Sequence, residues 1–166
     1  DMRGEDLLAA AVRRIEPVCA CRAAADTAAP DLWLSVDSYS LLQALTSLAG
    51  RLADEHDVKL VRLRLARTDT HAQLDLLWQG PSMSTETVIG WETEPMRVGA
   101  ESVALTVRDV VQRHDGEFWF ERERVRHELF FRFLLPLADP AAQDDASGAA
   151  DSRPEFYDFD LFQTTA

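Results

Sequence analysis

Two cysteines, four histidines and scattered carboxylates are the residues of this 166-residue chain with the most chemical potential, and their spacing limits what they can do. Cys19 and Cys21 stand two apart, which would put them on one face of a strand. A metal site asks for more ligands and wider spacing, so they read as buried apolar thiols. His56, His71, His114 and His127 form no H-x-x-x-H pair and share no Cys/His spacing. His114 ends an apolar helical stripe, and a hydrogen-bonded packing role is expected of it. No G-x-S-x-G motif presents a nucleophilic serine. Asp158 and Asp160 flank Phe159 as paired metal-binding carboxylates do, but with the chain ending at Ala166 little is left to hold an ion between them. Neither a catalytic residue nor a metal site is expected.

The elements that would position these residues show in the periodicity. Leu7, Leu8, Ala11, Val12 and Ile15 recur at helical spacing between Glu5 and Pro17, with acids early and arginines late, as a helix dipole favours. A short strand is expected over 18–22, then an Ala-rich loop ending at Pro30, then a brief strand over 32–36. Asp37 or Ser38 caps a helix striped by Leu41, Leu42, Leu45, Leu48, Ala49 and Leu52. Alternation marks strands at 58–66 and 73–78, joined by turn chemistry in Thr68 to His71. Val103, Val107, Val110, Val111 and His114 share a helical face, and Gly116 is expected to end that helix with a positive φ. Strands at 117–122 and 128–135 form the last hairpin. Three helices and six strands predict an α/β (α+β) two-layer sandwich, with helices on one face of a mixed, mainly antiparallel sheet.

Composition bounds the partners. An apolar share of 46% is ordinary for one globular domain, and no apolar run approaches the ~20 residues of a membrane span. With no basic-then-apolar leader pattern, the chain reads as cytoplasmic, with no membrane partner. The formal charge is −12, half of it in the stretch from Ala138 onward, where seven acids face Arg153 alone. An acidic surface repels phosphate backbones, so nucleic acid is not expected to bind. Residues 138–153 are acidic, small and of low complexity, the mark of a linker. Residues 154–166 hold aromatic anchors between carboxylates, as docking segments do.

The sequence of helix, His114-x-Gly116, strand, hairpin, strand and closing Leu135-Pro136-Leu137 resembles the ATP-binding domain of sensor histidine kinases. The resemblance runs from about Glu5 to Leu137, so residues 1–137 are expected to form one such domain. In that family the long helix begins D-x-x-x-L-x-Q-x-L-x-N-L-x-x-N. Asp37, Leu41, Gln43, Leu45 and Leu48 match it, while Ser47 and Arg51 stand at the two asparagines. The second asparagine ligates magnesium through a carbonyl oxygen; arginine has five donors and no acceptor and cannot do so.

The family's D-x-G-x-G box aligns with Trp78-Gln79-Gly80-Pro81-Ser82. Its aspartate accepts a hydrogen bond from the adenine amino group, whereas indole only donates. The phosphate-cradling G-x-G aligns with Glu101 to Leu105, where only the nearby Gly99 remains. The segment from Gln79 to Gly99 would be lid-like. The resemblance therefore implies a remnant nucleotide pocket lined by Ser47, Arg51, Trp78, Gly80, Ser82 and Gly99, without catalysis and without a cofactor. The expected role is a degenerate regulatory or scaffolding module of a bacterial signalling or multidomain protein, acting on other domains or a protein partner. The alternative is noncanonical ATP binding, without magnesium, in which Arg51 holds phosphate directly. The tail also resembles the linker that leads from such a domain into a proofreading-type exonuclease in some bacterial proteins.

Overall fold

The computed structural model describes residues 1–138; from residue 139 on, the expected linker and the acidic-aromatic tail lie outside the described residues. In chain order the elements are β1 (Met2–Arg3), α1 (Gly4–Val18), β2 (Arg22–Ala28), β3 (Trp33–Leu34), α2 (Ser38–His56), β4 (Leu60–Arg67), β5 (His71–Trp78), α3 (Thr85–Thr93), β6 (Pro95–Val98), β7 (Glu101–Thr106), α4 (Val107–Arg113), β8 (Glu117–Glu123) and β9 (Glu128–Pro136). Five strands form the main sheet in the order β2-β4-β5-β9-β8. Only the β2–β4 pair is parallel.

Alternation along the strands decides what each sheet face meets. Val61, Leu63, Leu65, Leu74, Leu76, Phe131 and Phe133 point to the side covered by α1, α2 and α4, and form one core with Leu7, Ile15, Leu41, Leu45, Leu48 and Val110. On the other face Asp75, 2% exposed, accepts from Arg64 at 2.7 Å and from Arg132 at 2.8 Å. Both guanidinium groups lie over the ring of Phe130 at 5.5 and 4.8 Å. Arg62 adds pairs to Asp26 and Glu128. The two-layer sandwich expected from the periodicity is the architecture observed.

α2 starts where Asp37 accepts from the Ser40 amide, and it ends where Asp57 turns left-handed at φ 55 with its N–H on the Leu52 carbonyl. His114 locks the start of α2 to the end of α4. Its Nε2 accepts from the Asp37 amide at 2.8 Å, so Nδ1 carries the proton and donates to the Val110 carbonyl, also at 2.8 Å. The expected packing role of His114 takes this form.

The structure corrects four boundaries. The Ala-rich stretch is a strand, β2, and the cysteines precede it in a bend instead of lying on a strand. The segment from Gln79 to Gly99 holds a helix, α3, and a strand, β6, so there are four helices among the described residues. Val103 lies on β7, and α4 begins only at Val107, because Thr106 and Asp109 cap each other there. The left-handed residue after α4 is Asp115, at φ 52. Gly116 is needed for a different reason: a Cβ there would collide with the backbone carbonyl oxygen of Leu134.

Gly116→Ala is therefore expected to lower stability by about 1–3 kcal/mol through forced displacement of β9, measured by urea unfolding. Asp37 gives a pH signature. Burial pushes its carboxyl up, but hydrogen bonds from Ser40 and Arg113 outweigh that and hold it below its ordinary value. A carboxyl with a depressed folded value stabilises the fold above its unfolded pKa, about 4, and that contribution is lost as the pH falls through the folded value. Asp37→Asn, which keeps a capping oxygen, should remove this part of the acid limb in a stability-versus-pH series.

Candidate functional site

Near the boxes of the resemblance lies a cavity of about 540 Å³ between α2, the end of α1 and the β6–β7 hairpin. Local sequence explains its walls. Gly99 takes φ +64 at the tip of the hairpin, where a side chain would be strained, and it faces Val18 at the end of α1. The hairpin then lays β6 along α2, with the Arg97 amide donating to Ser47 Oγ at 3.2 Å and Met96 buried beneath. Gly50 leaves α2 bare beside Cys19 Sγ, which donates to the Thr46 carbonyl at 3.4 Å.

Arg51 projects into this cavity and is held there. Its Nη2 pairs with Glu94 Oε1 at 2.8 Å and its Nη1 with Glu55 Oε2 at 3.6 Å, while the guanidinium lies 5.7 Å from the centroid of Trp91. Asp54 adds a third carboxylate to the lining, against Arg97 as the second base. Arg97 makes no ion pair among the described residues. No cluster of three or more His, Cys, Asp or Glu side chains able to hold a metal ion occurs among the described residues.

Trp78 is elsewhere. It stands on the helix-facing side of β5 but is 1% exposed, packed between Phe131 at 4.9 Å and Phe120 at 5.9 Å. Its Nε1 has no hydrogen-bond partner, so the ring holds its place by packing alone against the penalty of a buried unpaired donor. Trp91 of α3 continues the cluster, 6.1 Å from Phe131 and edge-on to His56 at 5.3 Å. Gly80 and Ser82 are exposed in the loop after β5. The structure thus brings Ser47, Arg51 and Gly99 to one cavity and leaves Trp78, Gly80 and Ser82 outside its lining.

The stretch that the resemblance aligns with the phosphate-cradling glycines, Glu101 to Leu105, lies on β7, and the N-terminus of α4 that follows it meets its own side chains. Thr106 Oγ1 accepts from the Asp109 amide at 3.0 Å, and Asp109 Oδ2 accepts from the Thr106 amide at 2.9 Å. Those amides are spent, and a carboxylate sits beside them.

Sequence reasoning missed Glu94, Arg97 and the role of Trp91. Ser84, which accepts from the Thr87 amide and starts α3, was the available signal. Val88, Ile89 and Gly90 follow it and depress helix propensity. Trp78→Ala is expected to cost about 3–5 kcal/mol by opening a cavity among Phe120, Phe131 and Trp91, read by chemical denaturation.

No protein-family model matches the sequence, and no curated protein matches it. Solved structures do. The catalytic domain of the histidine kinase ThkA, in a nucleotide-free form, superposes with a TM-score of 0.59 at 16% identity, covering 80% of this chain and 90% of that one. The ATP-binding domain of PrrB from Mycobacterium tuberculosis gives 0.59 at 15%, covering 81% and 93%. The mycobacterial sensor histidine kinase MprB gives 0.56 at 19%, covering 80% and 93%. ThkA is also known in complex with the response regulator protein TrrA, a structure that this chain matches over 41% of its length. The chain has the fold of histidine-kinase ATP-binding domains.

Proposed function

We propose that this domain is a histidine-kinase-type ATPase fold whose nucleotide site is filled and neutralised by its own side chains. It serves as a regulatory or scaffolding module of a bacterial signalling or multidomain protein instead of a phosphotransfer enzyme. The observation that carries the reading is Arg51. At the position the resemblance gives to the magnesium-ligating asparagine stands a permanent cation that offers no acceptor and is already paired with Glu94 and Glu55. Two further facts support it. Trp78, at the place the resemblance gives to the adenine-binding acid, is packed into the core, and two amides at the start of α4, those of Thr106 and Asp109, are used by each other's side chains. On this reading the domain's partners are other protein domains, and it needs neither ATP nor magnesium.

A second reading has one observation in its favour. The cavity is open and large enough for part of a nucleotide, and Arg97 is a cation beside it without an ion pair among the described residues. There Arg51 and Arg97 would hold phosphates without a metal, arginine being well suited to bidentate phosphate contact. The carboxylates Asp54, Glu55 and Glu94 oppose that use.

Calorimetric titration with ATP and with ADP, each with and without magnesium, separates the two. The first reading expects no binding at submillimolar nucleotide, and none regained by Arg51→Ala. Submillimolar, magnesium-independent binding that Arg51→Ala abolishes would establish the second reading in its place.

A further inference from the structure

The two outer strands of the main sheet are unlike. On β2 the Ala23 amide donates to Glu16 Oε2 at 3.1 Å, and the register breaks between Ala25 and Thr27, so that edge is blunted against a further strand. β8 has no such cover. Among the described residues, only β9 hydrogen-bonds the backbone of Glu117–Glu123. In an antiparallel pair half of a strand's N–H and C=O groups point away from the partner, and on β8 these lie along an open edge.

Side chains give that edge two chemistries. Phe118 and Phe120 lie opposite Phe133 and Phe131, on the face covered by the helices. Phe118 stacks on Phe131 at 5.3 Å and Phe120 meets it at 6.0 Å, yet both rings stay half-exposed. On the other face Glu117, Trp119, Glu121 and Glu123 lie opposite Leu134, Arg132, Phe130 and Glu128. Trp119 Nε1 donates to Glu121 Oε1 at 2.6 Å. Glu117, Glu121 and Glu123 make no ion pair among the described residues, and Arg132, across from Trp119, is already paired with Asp75. Three carboxylates against Arg122 alone leave this strand net negative.

We propose that the β8 edge is a docking site for an extended segment of a protein partner in which basic and apolar residues alternate, added to the sheet as a strand beyond β8. Its backbone takes the outward amides and carbonyls of β8. Its apolar residues cover Phe118 and Phe120, and its Lys or Arg side chains meet Glu117, Glu121 and Glu123. A second copy of this chain does not fit. With Phe120 on the two-fold axis of an antiparallel β8–β8 pair, Glu117 meets Glu123; with Trp119 there, Glu117 meets Glu121. The inference does not depend on what the α2 cavity holds.

The test uses the whole chain and a short acetylated, amidated peptide of alternating lysine and valine. Calorimetry should show binding that weakens as salt rises. Methylating the peptide's backbone nitrogens should weaken it at least about tenfold, because this removes strand hydrogen bonds and keeps the charge. A peptide of alternating glutamate and valine should pass the parent by and bind a Glu117→Lys, Glu121→Lys double variant instead. Amide hydrogen exchange needs no variant: the lysine–valine peptide should add protection over Glu117–Glu123 of the unaltered chain. Absence of binding, equal binding by the methylated peptide, protection confined to strands other than β8, or a dimer of the chain protected at β8 without peptide would each overturn the proposal.

Discussion

The burial of α2 is the constraint on which the rest of the structure depends. From Ser40 to Ala49 every residue is buried, so over this stretch the helix has no face left for water. A helix enclosed in this way needs a neighbour on every side and a partner for each polar group it carries inward. The sheet takes the leucine stripe, while α1 and α4 pack alongside. The remaining side, which carries Ser47, is covered by the β6–β7 hairpin, and Ser47 Oγ is satisfied by the Arg97 amide. Thr46 Oγ1 turns back to the Leu42 carbonyl at 2.7 Å, and Ser40 Oγ to that of Asp37. Ser47 and Arg51, which the resemblance sets at the two asparagine positions of the long helix, belong to that side. Here the chain itself covers part of that side.

The same device is used on both faces of the sheet. Arg51 lies over Trp91 with Glu94 and Glu55 at its edge, while Arg64 and Arg132 lie over Phe130 with Asp75 between them. A guanidinium is weakly hydrated and flat, so it can cover an aromatic ring while its rim donates to carboxylates. This lets Asp75 sit at 2% exposure on a sheet face that carries no helix among the described residues. Around Arg51 the arrangement leaves a side chain of permanent charge with no acceptor to offer and its positive charge already answered.

Which parts of this were legible in the sequence follows from what periodicity can carry. α2, the β4–β5 hairpin and the β8–β9 hairpin each repeat an apolar pattern long enough to fix element type, and Thr68 supplied the turn, accepting from the His71 amide at 2.9 Å. β2 was hidden because Ala23, Ala24 and Ala25 give no contrast between faces; its pairing with β4 is a tertiary effect. α3 was hidden by its β-branched residues and Gly90. Val103 fell into the α4 stripe only because it precedes Val107 by four residues, although Thr106 and Asp109 already spelled a cap. In the site, Ser47 and Arg51 could be placed by matching the long-helix pattern. The partner of Arg51 could not, since Glu94 lies 43 residues away and nothing local links them. Glu94 was therefore invisible until the hairpin was seen to fold back.

Trp78 and Arg51 are held in place with different strength. Trp78 is fixed by apolar burial among Phe120, Phe131 and the core leucines, which only rearrangement of the sheet face would undo. The Arg51 pairs are another matter. Glu94 and Glu55 are 57% and 50% exposed, and ion pairs to such solvated carboxylates contribute only about 0–1 kcal/mol. The guanidinium can be released to a competing acceptor at little cost, while the indole cannot be moved aside for a base. Arg51 is thus the yielding part of the cavity lining, whereas Trp78 lies outside that lining, fixed in the core beside it.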